Sequence, residues 1–391
     1  MHVALVSECV RTHDETTDAE GPHIASLANS LVRRGAKVDV YTRRQNPVDD
    51  SELIGGDGYR IIKVDAGPAK PLPDERILPC IGTFGSVLRD HWALDRPDVI
   101  HAHSWVPALA SVLAAREVDS PAVVSLHELA QGGTSGVPRA SLERKIARSA
   151  DRLVASSSEE CEHLTRLGVA RSKISIVPTG FDPSMFAPSG AAEAKKSQRR
   201  RIVVDSSEPG VQMMIEILEK MSDVELVVLG TAPDMRRLRK VAASRKVTRR
   251  VVFTGPILRS DRPALLRSAD LFVCTSSSEP SGIATMEAMA CGVPVVAYGV
   301  GWMHDLVVDE VTGRLIDPPN RREFVRAIEL LVADELQLFA LGVSAADRVQ
   351  SRYSWDRIAD DMTRSYDATV RGHHDRSHPT APMPEARRYA V

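Results

Sequence analysis

Aromatic residues are scarce in this sequence, and cysteines are few. Phe, Trp and Tyr together make up only 4% of the 391 residues, which argues against a platform of stacked rings for single-stranded nucleic acid. The cysteines are scattered and form no C-x-x-C pair: Cys9, Cys80, Cys161, Cys274 and Cys291. We interpret them as reduced, mostly buried thiols of a cytoplasmic protein.

The sequence also has no dominant charge and no long apolar segment. Fifty Lys and Arg residues nearly balance 52 Asp and Glu residues, for a net charge of −2, so we expect no nucleic-acid partner. The first apolar run, Val3–Val6, is too short for a signal-peptide core, and no run approaches the ~20 residues of a membrane span. Because a net charge hides local basic patches, peripheral contact with a membrane stays open. The oligomeric state is not predicted.

Short apolar runs alternate along the chain with amphipathic stretches, a pattern typical of βαβ units and parallel sheets. A helix is predicted from about His23 to Arg34, ended by Gly35. The strands predicted in the first half are Val3–Val6, Val38–Tyr41, Val99–His101, Val123–Leu126, Leu153–Ala155 and Ile174–Val177. Those predicted in the second half are Ile202–Val204, Leu226–Leu229, Val251–Thr254, Leu271–Cys274 and Pro294–Ala297.

A change of composition divides these two sets of strands. Residues 187–201, APSGAAEAKKSQRRR, are small, polar and basic, so we predict an interdomain linker. It separates an N-terminal domain at 1–186 from a C-terminal domain at 202–353. A helix at 354–370 and a disordered tail at 371–391 complete the prediction. Ligands bind at the carboxyl ends of parallel strands and between domains, so we expect the site in the cleft between the two sheets.

Common metal and nucleotide motifs are missing from the sequence. It contains no G-x-x-x-x-G-K-[ST], H-E-x-x-H or Asp-x-Asp pattern, so we predict no metal site. His101 and His103 lie on one face of a predicted strand end, because strand side chains repeat every second residue. Without further ligands nearby, we assign them a structural or cleft-lining role.

The most informative segment, TSSSEPSGIATMEAMACGVP, runs from Thr275 to Pro294. It predicts a strand end, a polar turn, and a helix starting at about Ser281, whose free N–H groups would attract an anion. Glu279 lies just before this helix and Glu287 in its second turn. Carboxylates accept hydrogen bonds from paired hydroxyls, so the arrangement suits a nucleotide sugar. On spacing alone, the alternative stays open that Glu279 caps the helix and Glu287 is solvated or ion-paired.

The segment EPSGIATMEAMACGVPVVA resembles the E-x7-E segment of the large retaining glycosyltransferase family 4, which has the GT-B fold. That fold consists of two Rossmann-like parallel-sheet domains that face each other across a cleft, with a final helix that crosses back to the first domain. The resemblance covers nearly the whole chain, in order. Other segments that carry it are LANSLVRRGAKVDVYT, PDVIHAHSW, VVSLHE, KISIVPTGFDPSMFAP, LLRSADLFVCTSSSEPSG, DEVTGRLIDPPN and YSWDRIADDM.

The resemblance implies transfer of a sugar, with retention at the anomeric carbon and without a metal. The expected substrates are a UDP- or GDP-linked sugar and an unidentified acceptor, and no cofactor is expected. The catalytic positions implied by the family are His127, near the transferred sugar, and Glu279, at the donor sugar. The donor-binding positions it implies are Ser281, Gly282 and Ile283 through their backbone, Glu287 at the ribose, and Gly21 in the loop after the first strand.

Several positions depart from the family pattern. The family places a Gly-Arg, and then a Lys, after the first strand of its second domain, where both cations bind the donor diphosphate. Here Asp205 and Ser206 stand near the Gly-Arg, and Pro209 replaces the Lys before Gly210. Arg259 and Arg262, in a neighbouring loop, are the candidates to reach this site.

Two further departures concern glycine pairs. Gly21 is preceded by Glu20 where the family has a second glycine, and Trp302 follows Gly301 where the family again has Gly-Gly. Since Gly permits close backbone approach and a large side chain does not, both changes bear on the cleft. The alternative function is therefore a catalytically degenerate glycosyltransferase-like protein that binds or regulates.

Overall fold

The computed structural model describes residues 1–8, 20–127, 129, 139–194, 198–206, 209–231, 234–276 and 282–377. These residues form two units, each built on one largely parallel sheet with helices packed on it. The strands are almost continuous runs of Val, Ile, Leu and Ala buried on both faces, as expected of parallel sheets covered by helices. The α/β class predicted from the sequence is therefore confirmed.

The first sheet has eight strands in the order β3-β4-β2-β1-β5-β6-β7-β8. Val3 in β1 lies opposite Val38 on one side and Val99 on the other. All neighbours are parallel except β3 and β4, an antiparallel pair that the sequence did not reveal. The strands are β1 (His2–Ser7), β2 (Lys37–Arg43), β3 (Glu52–Ile54), β4 (Arg60–Val64), β5 (Val99–His103), β6 (Ala122–Ser125), β7 (Arg152–Ala155) and β8 (Ile174–Ile176).

In the described residues, six α-helices accompany this sheet. The first of them ends at Arg33, one residue before the predicted end, and Gly35 follows with a φ of +82°, which suits the left-handed position after a helix. It begins at Glu20, three residues earlier than predicted. The helices are α1 (Glu20–Arg33), α2 (Asp74–Ile77), α3 (Ile81–Leu94), α4 (Trp105–Glu117), α5 (Arg139–Ser149) and α6 (Ser158–Arg166).

The second sheet has six parallel strands in the order β11-β10-β9-β12-β13-β14. These strands are β9 (Arg200–Asp205), β10 (Val224–Leu229), β11 (Val251–Phe253), β12 (Leu271–Cys274), β13 (Val295–Tyr298) and β14 (Gly313–Ile316). The helices of this unit are α7 (Val211–Ile217), α8 (Met235–Ser244), α9 (Arg262–Arg267), α10 (Ile283–Ala290), α11 (Met303–Leu306) and α12 (Arg321–Ala333).

Two long helices follow, α13 (Glu335–Tyr353) and α14 (Trp355–Ser377). The sequence analysis missed α13, which packs against α10. Helix α14 crosses back to the first unit and lies along α1, where Ile358 and Tyr366 are fully buried with Ile24. The return of the final helix to the first domain, implied by the family resemblance, is thus present.

The predicted start of a disordered tail at residue 371 is wrong, because α14 continues to Ser377. Its last turns are held by polar contacts with the first unit. His373 Nε2 lies 3.1 Å from Asp119 Oδ1, and Arg376 contacts Asp151. Because polar side chains make these contacts, the sequence of these turns, RGHHDRS, shows no apolar periodicity. Residues 378–391 lie outside the described part of the chain.

The predicted linker, 187–201, includes the first two residues of β9 and so ends too late. Arg201 is only 3% exposed; its Nε donates to Glu225 Oε1 at 2.8 Å and its Nη1 to Ser268 Oγ at 2.7 Å. A buried arginine that is paired inside a sheet has the same sequence signature as a basic linker. None of the helices within the described ranges combines the length and apolarity needed to cross a membrane.

Candidate functional site

A buried carboxylate, Glu287, lies at the carboxyl edge of the second sheet. Helix α10 follows β12, and nearly every side chain between Thr285 and Ala290 is buried. The Glu287 side chain is 2% exposed. Arg262 Nη2 approaches its Oε2 at 3.0 Å, and Arg259 Nη2 approaches its Oε1 at 3.5 Å. Glu287 is therefore ion-paired rather than solvated.

Opposing effects act on the Glu287 carboxyl group. Burial raises its pKa, Arg262 and Arg259 lower it, and Asp205 raises it further; the net pKa lies above the ordinary value. The contact with Arg262 is close but not aligned as a hydrogen bond. Within the described residues, Glu287 Oε2 and Arg262 Nε are both buried without a hydrogen-bond partner. Buried polar atoms of this kind are rare and costly, and they mark a place where a ligand can add bonds.

The start of α10 is packed against an indole ring. Gly282 has φ +64°, and a Cβ there would collide with the ring of Trp302. Trp302 is 5% exposed, so the side chain that departs from the family pattern lies against the helix start. Ile283 is the first helical residue and is half-buried. The predicted residues Glu279 and Ser281 lie outside the described part of the chain.

The loop after β9 meets the end of β12. Ser206 N donates to Leu229 O at 2.8 Å, and Gly210 N donates to Thr275 Oγ1 at 2.9 Å. Asp205, the last residue of β9, has its Oδ2 3.8 Å from Arg262 Nη2. The acidic residue that departs from the family pattern therefore faces an arginine from a different loop.

That arginine, Arg262, begins α9, and Arg259 lies in the turn between β11 and α9. Sequence reasoning named both residues as candidates but could not place them, because their contacts with Glu287 bridge 25 or more positions along the chain. The only signal was that this turn follows a strand of the same sheet.

Four histidines cluster at the carboxyl edge of the first sheet. His101 and His103 end β5, His127 follows β6, and His23 lies on α1. His103 Nδ1 and His127 Nε2 are 3.0 Å apart with stacked rings, and the His23 ring centroid lies 5.6 Å and 5.7 Å from theirs. The cluster thus brings together residues that are far apart in the sequence. Sequence reasoning did not identify His23 as a site residue.

All four imidazoles are neutral at pH 7. Burial lowers the pKa of His23 to about 3 and that of His127 to about 4. The pKa values of His101 and His103 lie well below the ordinary value for the same reason. His101 is satisfied as a neutral group, with Tyr366 Oη at 2.8 Å and Ser125 Oγ at 2.9 Å. Its structural role, expected from the sequence, agrees with this burial.

His127 is more exposed than His101 and His103, and its backbone differs from that of all three other histidines. It is half-buried, and its φ of +58° is uncommon for a residue other than glycine. The family-implied position therefore stands at the open side of the cluster. Gly21, which was expected in a loop, lies in the first turn of α1.

Polar contacts join the two units on the side of α6 and α11. Ser158 N donates to Asp305 Oδ2 at 2.7 Å, and Ser158 Oγ donates to Asp305 Oδ1 at 2.8 Å. Trp355, at the start of α14, packs its ring 5.0 Å from that of His23. The crossing helix therefore lies against the histidine cluster, and the two units are hydrogen-bonded to each other between α6 and α11.

One group in the described ranges has a ligand set suited to a metal: His2, Asp39 and Asp95. It lies at the amino ends of the strands, at the opposite edge of the first sheet. Arg60 donates to both oxygens of Asp39 at 2.7 Å and 2.6 Å, and Lys37 pairs with Asp95. The carboxylates are thus already neutralised by side chains, and the group forms an ion-pair network.

Comparisons with known proteins match two stretches of the chain to two family descriptions. Residues 21–185 match the family described as Glycosyltransferase Family 4, and residues 201–347 match Glycosyl transferases group 1. The chain is 31% identical to a D-inositol 3-phosphate glycosyltransferase from Xylanimonas cellulosilytica, over 93% of this chain and 96% of that protein. It is 30% identical to the protein of that name from Mycolicibacterium smegmatis, over 95% of this chain and 91% of that protein.

Solved structures share the two-unit architecture. A sucrose-phosphate synthase from Thermosynechococcus elongatus matches with a TM-score of 0.82 at 23% identity, covering 95% of this chain and 99% of that chain. Anabaena HepE, solved in complex with UDP, matches with a TM-score of 0.71 at 17% identity, covering 94% and 100%. At these identities the likeness establishes the fold alone.

Proposed function

Because the chain belongs to glycosyltransferase family 4 and has the GT-B fold, we propose that it transfers a sugar from a nucleoside diphosphate donor, UDP- or GDP-linked, to an acceptor, with retention at the anomeric carbon and without a metal. The observation that carries this proposal is the buried, arginine-paired Glu287 at the carboxyl edge of the second sheet. Ligands of parallel sheets bind at this edge.

On the donor side, Glu287 binds the ribose diol of the nucleotide. An ionised carboxylate can accept hydroxyl hydrogen bonds at both of its oxygens, and the two arginines oppose the effect of burial on its pKa. The backbone at Gly282 and Ile283 begins α10 and offers N–H groups to the donor. The roles of Glu279 at the sugar and of Ser281 beside it remain predictions from the family pattern.

On the acceptor side, His127 hydrogen-bonds a hydroxyl of the transferred sugar or the acceptor. Its low pKa keeps the ring neutral, and since Nε2 contacts His103, Nδ1 is the atom left for the hydroxyl, as an N–H donor or a lone pair. Its contact with His103 determines which ring nitrogen carries the hydrogen. The reaction passes through an oxocarbenium-like transition state, as in glycoside hydrolysis, and fixed charges stabilise the leaving diphosphate.

The first test is thermal stabilisation by UDP, GDP and ADP. We expect one of them to raise the melting temperature, because a ligand at a hundred times its Kd adds about 2.7 kcal/mol to the free energy of unfolding. Glu287→Gln, which keeps the side-chain volume, should lose most of that shift. Glu329→Gln, an exposed carboxylate on α12, is the matched control and should retain it.

The second test is transfer from the sugar donor of whichever nucleotide binds. D-inositol 3-phosphate, which appears in the names of the similar proteins, is the first acceptor to try. Nuclear magnetic resonance of the product gives the anomeric configuration: retention agrees with the proposal and inversion contradicts it. Activity should be unaffected by a chelator.

The alternative, a catalytically degenerate binding protein, is favoured by two observations. Asp205 stands where the family pattern has Gly-Arg, and Trp302 covers one side of the start of α10. Nucleotide binding without hydrolysis or transfer for any donor and acceptor would support this alternative. Failure of all three nucleoside diphosphates to shift the melting temperature would contradict the nucleotide-sugar proposal itself.

A further inference from the structure

Arg262, the first residue of α9, and Arg259, in the segment between β11 and α9, converge on Glu287. β11 is the outermost strand of the sheet, whereas β9 and β12 lie further in. Arg262 nevertheless reaches both the end of β9, at Asp205, and α10, at Glu287. The two arginine side chains, 24% and 39% exposed, are partly open to solvent although they contact a buried carboxylate.

These contacts leave much of the hydrogen-bonding capacity of Arg262 unused. A guanidinium group carries five N–H donors in a planar fork. The contact with Glu287 is an ion pair without hydrogen-bond alignment, Asp205 is at 3.8 Å, and Nε has no partner among the described residues. A planar fork with free N–H groups fits an oxyanion with two or more oxygens, such as a phosphate.

The neighbouring loops supply no cation in their described residues. The described residues of the loop after β9 are Ser206, Pro209 and Gly210. The described residues between β12 and α10 are Thr275, Ser276 and Gly282. A leaving diphosphate needs fixed positive groups beside it. At this edge of the sheet, within the described ranges, the two arginines are the cations that face Glu287.

We propose that Arg262, assisted by Arg259, binds the diphosphate of the donor nucleotide in place of the cations missing after β9. This inference rests on the proposed function and adds to it the residues that hold the phosphates. Asp205 and Glu287 hold the arginine at the site before the donor arrives, and the phosphate oxygens then take the N–H groups that the carboxylates leave free. The acidic Asp205 thus orients the diphosphate-binding cation.

The test compares three ligands that share one base: the nucleoside, its monophosphate and its diphosphate. Calorimetry gives the Kd of each for the wild type and for Arg262→Gln. We expect the affinity for the diphosphate to fall about tenfold or more, as for loss of a charge-assisted hydrogen bond, and the affinity for the nucleoside to stay within about twofold. Arg262→Lys should be intermediate, because it keeps the charge but loses the fork. Arg322→Gln, an exposed arginine of α12, is the control and should bind like the wild type.

A second variant separates phosphate binding from simple neutralisation of Glu287. If Arg262 only neutralised that carboxylate, Arg262→Gln would weaken all three ligands equally, and it would cause no further loss of affinity in a protein that already carries Glu287→Gln. Either result overturns the inference. If Arg262→Gln fails to fold, Arg259→Gln decides: a loss confined to the phosphorylated ligands supports the inference, and unchanged affinities overturn it.

The proposed function and the role of Arg262 are contradicted by different results. A wild-type protein that binds none of the nucleoside diphosphates contradicts the proposed function and, with it, the role of Arg262. If the wild type and Arg262→Gln bind a diphosphate equally tightly, only the role of Arg262 is overturned.

Discussion

Burial keeps individual histidines neutral at the carboxyl edge of the first sheet. His101 is fully enclosed between Tyr366 and Ser125, and its pKa lies well below the usual value because burial disfavours the charged ring. An unfolded histidine titrates near pH 6.5. Between that pH and the folded pKa, the unfolded chain binds more protons than the folded one. The free energy of unfolding therefore decreases as the pH falls below about 6.5.

We predict that replacing His101 weakens this pH dependence. From pH 7 to pH 5, one such histidine contributes a loss of about 2 kcal/mol. His101→Gln should be less stable than the wild type at pH 7, because it loses hydrogen bonds, yet lose less further stability on acidification. Urea unfolding at pH 7, 6 and 5 measures how steeply the free energy of unfolding falls with pH for the wild type and for the variant. His304→Gln, an exposed histidine, should follow the wild-type slope, and parallel curves for His101→Gln would contradict the prediction.

At the scale of the element, strand β9 begins with a charged residue inside the sheet. Arg201 and Glu225 lie on neighbouring strands in register, and their side chains are 4% and 7% exposed. Arg201 also donates to Ser268. Two charges removed from water are stable only while each has partners. The pair therefore fixes the register of β9 against β10 rather than adding much to stability.

Removing one member of this pair should be costly. Arg201→Met is expected to lower the free energy of unfolding by about 3 kcal/mol, because it removes the buried cation that pairs with the Glu225 carboxylate. Arg201→Met combined with Glu225→Met should recover part of that loss. Arg322→Met, at an exposed position of α12, is the control and should change little. Chemical denaturation measures all four proteins, and a single variant as stable as the control would contradict this account.

The contrast between apolar burial and ion pairing also explains which elements could be predicted from the sequence. Apolar runs such as Leu271–Cys274 were found with their exact bounds, and α10 was found to within two residues of its start. The charged start of β9 and the last two turns of α14 were missed, because ion pairs rather than apolar burial hold them. Glu287 was placed correctly in the second turn of its helix. Its pairing with Arg262 depends on a tertiary contact, which spacing along the chain does not encode.

At the scale of the whole molecule, the chain crosses between the units twice, once on leaving the first sheet and once between α13 and α14. These two crossings contact each other. Phe181, on the segment leaving the first sheet, accepts from Trp355 N at 3.2 Å and donates from its own N to Tyr353 O at 2.9 Å. The return between α13 and α14 is therefore hydrogen-bonded to the outgoing crossing. Because the crossings are bonded at one place, the units can rotate about it. The contact between Ser158 and Asp305 then limits how far they separate.

We predict that Asp305→Ala widens the average separation of the units without unfolding them. The carboxylate takes two hydrogen bonds from Ser158 at the start of α6, whereas the Asp305 backbone carbonyl is held within its own unit by Arg348 and Tyr353. Since the carboxylate contact is exposed, its loss should change the free energy of unfolding by less than about 1 kcal/mol. Solution scattering of the ligand-free variant should give a larger radius of gyration than that of the wild type.

Asp309→Ala is the matched control for this experiment, because Asp309 bonds only to Arg314 and Leu315 of its own unit among the contacts in the described residues. It should leave the radius of gyration unchanged. Closure around a substrate has to bring the two carboxyl edges together, so Asp305→Ala should also weaken donor binding less than it slows transfer. An unchanged radius for Asp305→Ala would mean that the bonded crossings alone hold the units at their present separation.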